Sequence, residues 1–90
     1  MPQAIVNPED LRRFASQLKR FNGELQTQMS SIHGQISALG QTWRDREQEK
    51  FTEEFTQTMQ AMGRFIEATN QFIPFLMRKA GRAEDYLQQR

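Results

Sequence analysis

The chain has 90 residues, with 12 Lys and Arg against 11 Asp and Glu, one His, one Trp, 7 Phe, 5 Met and no Cys. That length allows one small domain over 1–90; the absence of Cys excludes disulfides, thiolate metal sites and cysteine nucleophiles, and a single His excludes a site built on two imidazoles. A formal charge of +1 argues against a bulk electrostatic grip on nucleic acid or an anionic membrane.

The first ten residues, Met1 to Asp10, lack the basic and apolar regions of a signal peptide, so a cytoplasmic starting point is expected. No stretch approaches the ~18 apolar residues of a membrane span. Asn7-Pro8-Glu9-Asp10 reads as a helix start: Asn7 caps, Pro8 suits the first helical position, and the acids suit the positive end of the dipole. Leu11, Phe14, Leu18, Phe21, Leu25, Met29, Ile32, Ile36 and Leu39 then recur every three or four residues. All nine fall within an arc of about 80° on a helical projection, a narrow stripe on a helix over 8–39. Gly23 and Gly34 interrupt it at a cost of about 1 kcal/mol each relative to Ala.

Gly40-Gln41-Thr42-Trp43 breaks the period. Gly40 is placed to end the first helix, and the turn is expected over 40–44. Thr42 or Asp45 can cap a second helix, and Asp45 with Gln48 has capping-box spacing. The second helix is expected over 45–88. Its stripe is wider, about 140°: Phe51, Phe55, Met59, Met62, Phe65, Ile66, Phe72, Ile73, Leu76, Ala80, Ala83 and Leu87, with Thr58 and Thr69 inside the same arc. Pro74 is expected to kink or break it. Strands are not expected, since no segment alternates apolar with polar.

Two long helices joined by so short a connection lie antiparallel. The second helix can cover the narrow stripe of the first, but one neighbour cannot cover the wide stripe of the second. The expectation is an all-α hairpin that dimerises into a four-helix bundle, with Phe51, Phe55, Met59, Met62, Phe65, Ile66 and Phe72 as interface candidates. The alternative is that residues 74–90 fold back as a third helix. Segments 1–20 and 71–90 each sum to +2 and 21–70 to −3, so the open end is basic and the turn end acidic. Two hairpins placed antiparallel therefore bring opposite charges together, which selects orientation more than it adds affinity.

A hairpin of this size with Trp43 in the turn resembles the WXG family, the ESAT-like small proteins of type VII secretion. The resemblance rests on Gly40-Gln41-Thr42-Trp43-Arg44-Asp45 and on Phe51 and Phe55 following it. The family reads Trp-any-Gly, where this chain has Trp43-Arg44-Asp45. Asp45 must then cap, or Gly40 must make the turn. At the other end the family's Tyr-x-x-x-acid export signal meets Tyr86-Leu87-Gln88-Gln89-Arg90, with Arg90 in the acid's place. The resemblance implies a partner that is a second copy or a sister WXG-type protein, and a role as exported substrate or chaperone-like partner of a type VII-like system.

Trp43 is expected to close the hairpin end over the first turn of the second helix, largely buried. Phe75 and Tyr86 lie off the stripe; either Pro74 rotates them into the core, or they form an exposed aromatic patch near the open end. His33 has no second ligand at helical spacing. Asp45, Glu49 and Glu53 have neither the further ligands of a metal site nor the cleft of a glycosidase. The serines have no base beside them. Neither catalysis, a metal, a cofactor nor a small-molecule substrate is expected. Two other readings stay open: a self-assembling needle-like hairpin, and a helical dimer binding nucleic acid through Arg12, Arg13, Lys19 and Arg20 with Arg78, Lys79 and Arg82.

Overall fold

The computed structural model describes residues 6–88. The N-terminal reading at residues 1–5 and Arg90 of the tail motif lie outside them. Two helices make up the described chain, α1 (Pro8–Leu39) and α2 (Arg46–Gln88), with no strand among the described residues. They form a rod of 68 × 17 × 16 Å, two helices wide and one thick.

Local chemistry sets the helix ends. Asn7 Oδ1 accepts from the backbone N–H of Glu9 at 2.9 Å and of Asp10 at 3.3 Å, with Pro8 just inside the helix. At the far end Gly40 stays right-handed, with φ −61° and ψ −17°. It ends the helix where the sequence placed it, and a side chain there would be crowded. A Cβ at Gly40 would sit 3.3 Å from the Ser37 carbonyl. Thr42 and Trp43 both donate their N–H to the Leu39 carbonyl, at 3.1 and 3.0 Å, which closes the last turn. Asp45, not Thr42, caps α2: its Oδ1 accepts from Gln48 N–H at 3.0 Å. Only half of the capping box forms, because the Gln48 amide donates forward to Thr52 at 2.8 Å.

α2 runs through Pro74 as one helix of 43 residues. A break, and with it the folded-back third helix, is excluded for residues 74–88. The missing N–H leaves the Asn70 carbonyl without its usual donor.

The two helices meet along a seam with heptad spacing. On α1 it follows Pro8, Leu11, Ala15, Leu18, Asn22, Leu25, Met29 and Ile36; on α2 it follows Phe55, Met59, Met62, Ile66, Thr69, Ile73, Leu76, Ala80 and Leu87. The described residues that are buried are Pro8, Ala15, Asn22, Ile66, Thr69 and Ala80. All six lie in the half of the rod away from the turn. The small side chains of Ala15, 1% exposed, and Ala80, 0% exposed, let the helices approach closely there.

This seam corrects the reading of the first stripe. α2 does not cover all of it: Phe14, Phe21, Ile32 and Leu39 remain exposed. Leu18-Phe21-Leu25 and Leu18-Asn22-Leu25 have the same helical spacing, and the fold turns Asn22 inward and Phe21 outward.

Candidate interaction surface

Phe14 and Phe21 each precede a buried residue of α1, Ala15 and Asn22, by one position. Phe65 and Phe72 likewise precede the buried Ile66 and the half-buried Ile73 on α2. A step of one residue turns the side chain 100° off the seam, so these rings stand on one flank of it. Phe21 and Phe65 meet edge to face across the hairpin, ring centroids 6.2 Å apart at 80°, which joins the two rows into one band. Phe51 continues the α2 row toward the turn, and Phe75 and Tyr86 continue that flank toward the open end, each of the last two 52% exposed. Phe75 and Tyr86 are thus not rotated inward at Pro74.

The interface candidates taken from the sequence therefore divide. Phe51, Phe65 and Phe72 stand on the exposed flank, while Ile66 is buried against α1 and Phe55, Met59 and Met62 are half-buried in the seam. The α1 rings, Phe14 and Phe21, were missed as surface residues because their spacing alone fits the seam as well as the flank.

At the turn, Trp43 stacks on Phe51 with centroids 5.7 Å apart, and Phe51 on Phe55 at 5.8 Å. Trp43 is half-buried rather than largely buried. Two helices offer no third element to cover the second face of the indole. Gly40 and Asp45 fix the ends of the helices that bring this ladder together.

Two polar crossings tie the open half. Arg12 pairs with Glu84 through two parallel hydrogen bonds of 3.0 and 3.1 Å. Those bonds, and then the charge of Arg12, hold the Glu84 carboxyl below its ordinary range; Glu84 in turn raises Arg12. Deeper in, Asn22 Nδ2 donates to Thr69 Oγ1 and to Asn70 Oδ1, both at 2.9 Å. Thr69 Oγ1 donates back to the Phe65 carbonyl at 2.8 Å. Asn22 Oδ1 is buried without a partner. Sequence reading passed over Asn22, although a polar residue in phase with Leu18 and Leu25 was the available signal.

The turn half differs. None of residues 23–39 or 46–65 is buried. On the flank opposite the aromatic band, a groove of about 630 Å³ opens between the helices, floored by Met29, Ile36, Phe55 and Met59. His33 lines it among Gln26, Ser30 and Ser37. Among the described residues no group of His, Asp and Glu could hold a metal ion, and no helix is long and apolar enough to cross a membrane.

A family model, WXG100, described as proteins of 100 residues with WXG, matches residues 3–86. Solved structures of EsxB, a secreted protein of Bacillus anthracis strain Sterne, are similar in sequence and fold. The wild-type form is 35% identical, with 87% of this chain and 84% of that chain covered and a TM-score of 0.74. A proline-to-alanine mutant of it is 33% identical over 90% and 94%, with a TM-score of 0.79. A glycine-to-alanine mutant is 34% identical over 91% and 94%, with a TM-score of 0.75. No curated protein matches significantly.

Proposed function

This chain belongs to the WXG100 family, and from that premise we propose that it acts by pairing through its aromatic flank with a second copy, forming an antiparallel four-helix bundle. The bundle is the form in which it serves a type VII-like secretion route, as substrate or as carrier of a partner. The relatives supply the family and a secreted protein; the aromatic band supplies the surface.

The observation that carries the reading is the continuous exposed row of Phe14, Phe21, Phe65 and Phe72. A monomer would leave these rings in water, and large aromatics in a contiguous patch mark an interface. The flank is also complementary to itself when one copy is reversed. Its open half carries Phe72, Phe75, Lys79, Arg82 and Tyr86. Its turn half carries Glu47, Phe51, Glu54, Thr58 and Ala61 at the equivalent helical positions. Reversal about a two-fold axis between Ile66 and Glu67 sets Phe72 against Ala61, Phe75 against Thr58, Lys79 against Glu54, Arg82 against Phe51 and Tyr86 against Glu47. On α1 it sets Phe14 and Phe21 against the uncharged stretch of 25–38. A parallel pair would set like against like. Such a contact is isologous, the ordinary form of a homodimer.

Sedimentation equilibrium tests this. The chain is expected to be a dimer at tens of micromolar, and the double change Phe21→Ser with Phe72→Ser to be monomeric, each buried aromatic contributing roughly 2 kcal/mol. A wild-type monomer at those concentrations would discard the self-pairing and leave a sister WXG-type protein as the partner.

A further inference from the structure

The groove of the turn half lies on the flank that the proposed dimer leaves open. Thr56 and Gln60 form its α2 wall, and Glu49 and Glu53 stand in the same row, at steps of four, three and four residues. Neither forms an ion pair among the described residues. Arg46 is the one cation in that row, against Glu49, Glu53 and, further along, Glu67. The α1 wall is unlike it: residues 25–43 contain no Asp, Glu, Lys or Arg. The groove therefore has an apolar floor, one acidic edge and one neutral edge.

We propose that this groove receives an amphipathic α-helix of another protein, with its apolar face on the floor and a row of Lys or Arg along one edge. The walls are helices whose backbone donors and acceptors are already used, so strand addition has nothing to pair with and a helix face is the mode left. From Gln26 to Gly40 the groove runs about 21 Å, the length of about four helical turns. Met29 and Met59 on the floor adapt to whatever apolar side chains arrive. The basic edge must lie along α2, because the α1 wall offers no charge to meet it; this fixes the rotation of the bound helix about its own axis. The turn half has no buried residue of its own, so a third helix would complete a seam that α1 and α2 leave open. A second copy is a poor occupant. Its exposed aromatic residues stand on the opposite flank, and on the open half of the groove flank the exposed large apolar residue is Met77. In the reversed pair, Lys79 reaches Glu54 and Arg82 reaches Phe51 on the aromatic flank, which leaves Glu49 and Glu53 without cations. The inference goes beyond the dimer reading and does not depend on it.

The test is methyl NMR of the full chain labelled at methionine, titrated with a synthetic four-turn helical peptide carrying leucines on one face and a lysine row along one edge. Met29 and Met59 are expected to shift saturably, with a dissociation constant below about 1 mM, while Met77 stays in place. A peptide with the same leucines and a glutamate row is expected to bind at least about tenfold more weakly. Glu49→Lys with Glu53→Lys is expected to invert that order. No shift at Met29 and Met59, or equal binding of both peptides to both proteins, would overturn the proposal. So would shifts at Met29 and Met59 that follow protein concentration without peptide, since the occupant would then be a second copy. If the chain sediments as a monomer and the charge-dependent shifts remain, the groove stands and the dimer reading falls.

Discussion

The open half and the turn half of this hairpin are built from the same two helices and hold together differently. The open half has Ala15 and Ala80 for close approach, the Asn22–Thr69–Asn70 crossing inside and Arg12 clasping Glu84 at the end. The turn half is joined covalently through the connection, packs Trp43 against Phe51, and has half-buried residues but no buried one. A chain connection supplies proximity without packing, so the half nearest the turn can remain open where the half nearest the free ends cannot. Much of the apolar surface is left for other molecules: a 90-residue chain this extended has no second layer with which to bury it.

The sharpest way to break that contrast is truncation of the seam on each side. Ile66→Ala, in the open half, is expected to cost about 2–4 kcal/mol of unfolding free energy, because it removes a buried branched side chain and leaves a cavity. Met59→Ala, at a half-buried seam position in the turn half, is expected to cost less than half as much, since water already reaches the site. Urea melts of the two variants, each made in the Phe21→Ser, Phe72→Ser background to exclude the dimer, check this. Equal losses would mean that the halves are equally packed.

A smaller effect is expected at Asn22. Asn22→Leu removes a buried amide whose Oδ1 has no partner, while Thr69 keeps its bond to the Phe65 carbonyl. Replacing an incompletely satisfied polar group by an apolar one of similar size is close to neutral, within about 1 kcal/mol either way. The expected role of Asn22 is register, as for a polar residue placed in a coiled-coil seam. The variant is expected to keep its stability and to lose uniformity, with extra or broadened amide signals near Thr69 and Asn70. A single sharp set of signals would show that apolar packing alone fixes the register.

The smallest effect belongs to the clasp at the open end. Glu84 is held below its ordinary range by Arg12, so its contribution is full above that range and is lost as pH falls through the lowered value. Amides near Arg12 and Glu84 are expected to lose exchange protection in acid before those around Ile66. Glu84→Gln should remove the acid step there and leave the turn half unchanged. Because the pair is exposed, the effect on global stability is expected to be slight. Protection that falls with pH equally in both halves would show that the clasp does not distinguish them.

The helix boundaries were legible because each rests on contacts within a few residues. Asn7 reaches Glu9 and Asp10, Gly40 answers to the Ser37 carbonyl, and Asp45 reaches Gln48. The hairpin follows from two long amphipathic segments and a short connection, and the motif around Trp43 was enough to suggest the family. The face each apolar residue takes was not legible. Phe14 and Ala15, or Phe21 and Asn22, compete for the same seam position at three- and four-residue spacings, and an isolated helix has no reason to choose between them. The choice belongs to the second helix. Thr69 and Asn70 offer acceptors to the Asn22 amide, and Ala80 leaves the close approach that Ala15 permits and a phenyl ring would prevent. The sequence by itself determined two helices, their ends and their antiparallel course. Only their packing decided that the small and polar residues go between them and the aromatic rings go outward, because that choice depends on what stands opposite, some fifty residues away in the chain.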